Sequence, residues 1–443
     1  MTPSADLDRY TDGAAMRTLL QARLPGFAEG RLRIDALTVS HARRNTSRDR
    51  NPSPLSLCYA LQVSDTAQRR SGTQLLYARV YRANQAASVY AQQDQRLLAA
   101  PAFGQALTHL ADLDMVLWAL PNDPELPQLA RLLDPLRAAH LVPGAAGAGV
   151  DVELLRYTPQ RRATLRYTLG DAARAGSHSG PTQLYAKTFC DGSAELLHQR
   201  FCHFWQRAQT DAQAPLVAQP LGCDAATRTL WQAPAPGLPL RGMLGASDAV
   251  VLMGRVARAL ALLHESGLAP AASATPRSVA HGVAEARRRE RKIARADAAL
   301  APLAASVANA LDHHAAHLAA RPLTLIHGDF HPDQIWVHQG RVVLFDFDEF
   351  TLGDPMEDLA AFAIKLEALG AASVLVSAFV QQYAAAAPQR FDRRALAWHL
   401  TLQSLLQASR AFIYQQPGWA QTLASRLAAS VERAAALSRP EAT

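Results

Sequence analysis

The sequence predicts an α+β chain in which two small β-rich units precede a helical lobe. Three observations carry this. Strand-like apolar runs cluster in the first half of the chain and recur in the same order, with sequence echoes between the two sets. An Ala-rich, helix-patterned second half follows Pro234-Ala235-Pro236-Gly237. Inside that half, two short β-type runs each end on a polar, acidic cluster.

A helical stretch over Ala14 to Leu24 is ended by Pro25-Gly26. Strand-like runs follow at Leu32–Val39, Leu55–Val63, Leu75–Tyr81 and Met115–Leu120, with a basic loop from His41 to Pro54 and a helix over Ala86 to Leu98. The small residues from Gly144 to Gly149 mark a hinge. Runs at Val152–Tyr157, Ala163–Leu169, Gln183–Phe189 and Arg228–Gln232, with a helix over Ala194 to Ala208, repeat the pattern. The string Thr73-Gln74-Leu75-Leu76-Tyr77-Ala78-Arg79-Val80-Tyr81 echoes Thr182-Gln183-Leu184-Tyr185-Ala186-Lys187-Thr188-Phe189, and Val116 to Pro121 echoes Thr229 to Pro234. Duplication of one unit and chance likeness between short apolar runs are both open readings. Ser247 or Asp248 is placed to cap a helix reaching His264. Helices follow over Ser278 to Ala320, broken near Pro302, and over Asp358 to Leu437, broken near Gly370, Pro388 and Pro417. The domain boundaries expected are 1–148, 149–235 and 236–443.

Composition narrows the function. The 443 residues are 49% apolar and 19% charged, which is globular and large enough for a substantial core. A net charge of +7 is modest for this length, and no zinc-finger or RNA-binding signature accompanies it, so nucleic acid is not the expected partner. No uninterrupted apolar run is long enough for a membrane span, and the polar first residues lack a signal-peptide core. The four cysteines form no CxxC pair and read as reduced, mostly buried thiols of a cytoplasmic protein. Of 45 basic residues only Lys187, Lys292 and Lys365 are lysines, so each stands out.

The chemistry concentrates in Leu325-Ile326-His327-Gly328-Asp329-Phe330-His331-Pro332-Asp333-Gln334-Ile335-Trp336-Val337 and in Val342-Val343-Leu344-Phe345-Asp346-Phe347-Asp348. Asp329 and Gln334 have the Asp-to-Asn spacing of a kinase catalytic loop, and Asp346 follows where that design has its metal-binding Asp. A carboxylate base, an amide oxygen and a second carboxylate are what phosphoryl transfer with Mg²⁺ requires. The bland rival is a surface turn with capping aspartates. Downstream, Gly353-Asp354-Pro355-Met356-Glu357-Asp358-Leu359-Ala360 completes an ordered set.

With that set the chain resembles the aminoglycoside phosphotransferase and choline kinase-like family, whose pattern is His-Gly-Asp-x-His-x-x-Asn, an apolar strand into Asp-Phe, then Gly-Asp-Pro-x-x-Asp-Leu-Ala. The resemblance is dense over about 35 residues and weaker over roughly 150 to 400. It implies a protein kinase-like two-lobed fold with an extra N-terminal β-rich domain, a degenerate copy of the small lobe. It also implies ATP (or another NTP) and Mg as cofactors and a small-molecule hydroxyl as acceptor. Asp329 matches the catalytic base, and His327, Gly328 and His331 shape its loop. Asp346 matches the principal Mg²⁺ ligand, and Asp348 either supports a second metal or caps a strand end. Gln334 departs from the family's Asn, as it does in maltokinase-like sugar kinases, and carries the same amide oxygen on a longer stem. Asp354 and Asp358 brace the loop and cap the next helix.

Lys187, in a strand-like run, matches the lysine that holds nucleotide phosphates, with Glu195 as its helix partner; an edge-strand lysine and an ordinary first-turn glutamate are the rivals. The Thr158-Pro159-Gln160-Arg161-Arg162 loop contains no Gly, so phosphate contact falls to Thr158, Arg161 or Arg162, or these are solvated turn residues. Gln232 and Ala233 lie at the hinge expected to meet adenine, in a cleft before the helical lobe. Arg287 to Lys292 reads as a solvated helix face, and His313-His314 as surface. Trp398, His399, Gln403 and Arg410 share one face of a late helix and line either a pocket or a core. A pseudokinase, binding nucleotide without turnover, is the alternative function.

Overall fold

The computed structural model describes residues 9–44, 55–82, 84–145, 149–170, 182–268, 270, 275–318 and 321–439. Most of the predicted basic loop, the centre of the Gly144–Gly149 hinge and the end of the 278–320 helical stretch lie outside them. The chain is α+β and divides into two compact units. One comprises Met1–Gly192, Asp224–Trp231 and Ile413–Pro417; the other comprises Ser193–Cys223, Gln232–Phe412 and Gly418–Thr443.

The first unit opens with α1 (Gly13–Arg23), whose N-terminus is capped by the Asp12 carboxylate accepting from the N–H groups of Ala14 and Ala15. Five antiparallel strands follow: β1 (Leu32–Arg44), β2 (Leu55–Asp65), β3 (Arg70–Val80), β4 (Leu107–Leu110) and β5 (Met115–Ala119), in the order β1-β2-β3-β5-β4. Alternation sorts their side chains onto two faces. Leu57, Tyr59, Leu61, Leu76, Ala78 and Leu117 meet Met16 and Leu20 of α1 on one face. Tyr77, Val116 and Trp118 cover the other, joined by Ala86 of α2 (Gln85–Ala91). The predicted helix over Ala86 to Leu98 is shorter than expected. Asp94 diverts the chain into a 3₁₀ turn by accepting from the Arg96 N–H, the competition short polar side chains offer a helix.

Single-turn helices α3 (Leu129–Leu132) and α4 (Pro135–Ala138) lead into β6 (Val150–Thr158), β7 (Arg162–Leu169) and β8 (Gln183–Phe189), and after β9 (Pro220–Asp224) comes β10 (Thr229–Gln232). The order β6-β7-β8-β10 repeats β1-β2-β3-β5. The sequence echoes fall on matching places, β3 with β8 and β5 with β10. Arg79 lies over the Tyr81 ring at 5.1 Å and Lys187 over the Phe189 ring at 5.5 Å, two residues on in each case. The extra N-terminal β-rich domain is therefore a second sheet of the same build.

The two sheets are tied through the segment after β5. The Asp123 carboxylate accepts from the Tyr157 hydroxyl at 2.6 Å and the Gln160 N–H at 2.8 Å. The buried Gln128 amide donates to the Thr188 hydroxyl and the Phe189 carbonyl, both at 2.8 Å, and accepts from Arg228 at 3.0 Å.

The second unit is mostly helical: α5 (Ser193–Thr210), α6 (Ala249–His264), α7 (Val279–Ala296), α8 (Ala301–Ala315), α9 (Pro355–Ala368), α10 (Ser373–Ala386), α11 (Arg393–Ile413) and α12 (Trp419–Leu437). Asp248 precedes α6 but its side chain makes no cap bond, so that expectation fails. Where the sequence shows two short strands there are four, joined by a fifth from earlier in the chain. β12 (Thr324–Ile326) pairs with β15 (Thr351–Gly353), and β13 (Ile335–His338) with β14 (Arg341–Leu344) and with β11 (Leu238–Pro239). Runs of two to four residues are too short to show alternation.

Two further expectations need correction, and one question left open is answered. Of the four free cysteines only Cys58 is buried; the others are half-exposed. The basic run on α7 is not merely solvated, since Arg287 reaches Asn309 and Asp312 of α8 at 2.8 Å each. The Trp398–Arg410 face divides: Trp398, donating to the Leu311 carbonyl, and His399 are core, while Gln403 and Arg410 are half-buried. No described helix is long and apolar enough to cross a membrane.

Candidate active site

The loop after β12 is held from several sides. Gly328 turns it with φ 78°, a left-handed conformation, and a Cβ there would collide with the Glu349 carbonyl oxygen. The fully buried Asp358, in the first turn of α9, accepts from the N–H groups of His327 at 2.6 Å and Gly328 at 2.9 Å. His264 fixes that carboxylate from α6, its Nε2 3.1 Å away and its Nδ1 2.6 Å from the Tyr383 hydroxyl. Burial raises the Asp358 carboxyl, but His264, His327 and the backbone donors outweigh it and hold the pKa below its usual value. Arg277 completes the brace, donating to the Gly328 carbonyl at 2.7 Å while pairing with Glu357 at 2.8 Å and Glu349 at 3.1 Å. Asp354 caps α9 through the Met356 N–H and pairs with Arg321 at 2.6 Å.

His327 joins this loop to the next. Its Nε2 lies 2.8 Å from the Phe345 carbonyl, and Phe330, Phe347 and Phe350 surround the ring. Burial lowers its pKa, so the ring is the neutral donor to that carbonyl. Arg200 of α5 donates to the Phe347 carbonyl at 2.8 Å and to the Phe350 carbonyl at 3.4 Å. Between them stands Asp346, at φ 59° and ψ 63°. A non-Gly residue there costs about 1–3 kcal/mol and persists where its surroundings over-determine it, most often at functional sites.

Four side chains then run in a string. The Asp329 carboxylate is 3.6 Å from His331 Nε2, which is 3.5 Å from Gln334 Nε2, which donates to Asp346 Oδ2 at 3.1 Å. Burial raises the Asp329 carboxyl, but the neighbouring His331 and the charge of Arg410 hold it below its usual value. Asp329 is thus ionised at neutral pH and able to accept a proton. Asp348 sits half-buried in the 3₁₀ turn Phe347–Glu349. Among the described residues no three His, Cys, Asp or Glu side chains cluster as a metal site. The oxygens of Asp346, Asp348 and Gln334 nevertheless fit Mg²⁺, which takes one or two carboxylates and keeps several waters.

The other predicted residues lie as follows. Lys187 is half-buried in β8 opposite Thr164, in the first unit with the exposed Arg161. Glu195 is exposed in the first turn of α5, in the second unit. Gln232 has a buried side-chain nitrogen without a hydrogen-bond partner, while the Ala233 N–H is already engaged by the Gln219 carbonyl. His264, Tyr383, Arg200 and Arg277 were not anticipated. They reach the loops from far along the chain, and no local motif marks them.

An ionised aspartate on a braced loop, linked through an amide to a second aspartate on the next loop, is the arrangement of a phosphoryl-transfer enzyme. Comparison agrees. Residues 193–399, a little under half of the chain, match the family model of the Phosphotransferase enzyme family, APH. The match begins six residues beyond Lys187. No curated protein matches the chain in sequence. Among solved structures, a choline kinase from Cryptosporidium parvum Iowa II is similar at 10% identity and TM-score 0.47, covering 67% of this chain and 93% of its own. The choline kinase LicA from Streptococcus pneumoniae is similar at 17% identity and TM-score 0.43, covering 65% and 93%. A Plasmodium vivax ethanolamine kinase is similar at 11% identity and TM-score 0.44, covering 68% and 87%.

Proposed function

We propose that the protein is an ATP- and Mg-dependent kinase that phosphorylates a hydroxyl of a small metabolite. The observation that carries this is the string from Asp329 through His331 and Gln334 to Asp346, with Asp329 kept ionised. Asp329 orients the acceptor hydroxyl and takes its proton as the oxygen bonds to the terminal phosphorus of ATP, the bond from that phosphorus to the β–γ bridging oxygen breaks, and ADP leaves. Asp346 and Gln334, with Asp348, would hold the metal, which when bound neutralises charge on the phosphates. Lys187 holds nucleotide phosphates with Glu195 as its partner, Arg161 adds a contact from the β6–β7 turn, and Gln232 and Ala233 meet the base. Because His327, Asp358 and Arg277 fix both loops in advance, little reorganisation remains for the chemical step.

The test is phosphate transfer from labelled ATP across a panel of hydroxyl compounds, with Asp329→Asn as the control. The substitution is expected to lower kcat by about 10²–10⁴ while nucleotide affinity is kept. An unchanged rate would remove Asp329 from its role. Metal-dependent ATP binding with no transfer to any acceptor would instead establish a pseudokinase.

A further inference from the structure

Three half-buried cations from three helices gather around Lys365, and two of them, Lys365 and Arg410, act on the proposed base. Lys365 lies on α9, seven residues and about two turns beyond Asp358, and so on the helix face that grips the catalytic loop. Its ammonium is within electrostatic reach of Asp329, Asp333, Arg410 and Arg426. Arg410 of α11 acts on the Asp329 carboxylate as well. Arg426 of α12 donates to the Gln407 carbonyl of α11 at 3.5 Å, and Arg433, two turns further along α12, pairs with Glu367 of α9 at 2.6 Å. These ties bring the charged faces of α9, α11 and α12 together.

Among the described residues Lys365, Arg410 and Arg426 form no ion pair with a carboxylate. The two acids in reach have other tasks: Asp329 faces His331 at 3.6 Å, and Asp333 lies 3.7 Å from His331 and 3.6 Å from Arg241. Removing cations from water without a partner is costly, and a cluster of them favours an anion. Burial first, and then Arg410 and Arg426, lower the Lys365 pKa against the pull of the two aspartates.

We propose that the acceptor is an anionic hydroxyl compound, its carboxylate or phosphate held by Lys365, Arg410 and Arg426 while its hydroxyl meets Asp329. This rests on the kinase reading above and specifies its substrate class. Arginine forks and a lysine ammonium suit carboxylate and phosphate oxygens. A quaternary ammonium or polyamine acceptor would be repelled by the same wall.

The test uses the full chain and matched acceptors, D-glycerate against glycerol and D-gluconate against D-glucose, with choline as a cationic comparison. The acid of each pair is expected to be favoured in kcat/KM by about tenfold or more, the worth of one hydrogen bond to a charged group. Arg410→Gln and Lys365→Met should each cut that preference by a similar factor and leave the KM for ATP unchanged. In a second measurement, with ADP and Mg²⁺ saturating, sulfate should raise the Tm of the unmodified protein and not of either variant. A preference for the neutral or cationic compounds, a variant effect on the ATP KM, or a sulfate response equal in all three proteins overturns the proposal. Protection by ADP with no sulfate effect overturns the acceptor class alone. Absence of both ADP protection and ATP turnover overturns the kinase reading with it.

Discussion

Gly328 concentrates much of the site's geometry in one residue. Its left-handed φ and its closeness to the Glu349 carbonyl leave no room for a side chain, and its own carbonyl receives Arg277. Gly328→Ala is expected to destabilise the protein by about 2 kcal/mol, combining left-handed strain with displaced backbone. It should also lower kcat, because the bonds to Asp358 and Arg277 are strained together. Urea midpoints and steady-state kinetics check both, and a variant with native midpoint and native kcat would contradict the account. The sequence made His327, Gly328, Asp329, Gln334, Asp346 and Asp358 legible because they sit at fixed local spacings. It was silent on His264, Arg277, Arg200 and Tyr383, whose partners lie tens of residues away or more, since pairing over such distances is a property of the fold and leaves no periodicity. Left-handed Asp346 was equally hidden, as no residue type announces that conformation except glycine.

Among the elements, the β6–β7 turn depends on the segment that follows β5. Gln160 at its tip has φ 61°, and the N–H of that residue is held by Asp123, as is the Tyr157 hydroxyl at the end of β6. Asp123→Ala leaves both donors without their acceptor, a loss of about 1–3 kcal/mol. If this turn meets nucleotide phosphates, the KM for ATP should rise several-fold with kcat little changed. Equal KM values for the two proteins would show that the turn does not touch nucleotide. Longer elements were well marked in the sequence: β8 has the predicted ends, and α5, α6 and the four late helices differ from expectation by a few residues at their termini. Those missed were β4, β9, β11 and β15, at two to five residues too short for a periodic signal, and the early end of α2, where one aspartate outcompeted helix propagation.

For the whole molecule, buried histidines set how stability responds to acid. His327 and His399 are 0% and 3% exposed, and burial lowers the pKa of each below the ordinary value near 6.5. The unfolded chain therefore binds protons at a pH where the folded one does not. Stability from this source is complete above about 6.5 and declines as the pH falls towards the lowered folded values, by about 1 kcal/mol per pH unit for each ring. Asp358, also lowered, is lost only at more acidic pH, below the ordinary carboxylate range. Denaturant midpoints should thus fall between pH 7.5 and pH 5.5, and a flat or rising profile would mean that neither ring stays neutral in the fold.

The α+β class and the repeated sheet order were visible in advance because the echoes span whole strands. The fastening between the sheets was not, resting as it does on single side chains such as Gln128. That fastening also bears on truncation. Through Gln128 the N-terminal sheet holds Thr188, Phe189 and Arg228, so it is no detachable passenger. Removing residues 1–148 would take one hydrogen-bond partner from a hydroxyl, a carbonyl and a guanidinium at once.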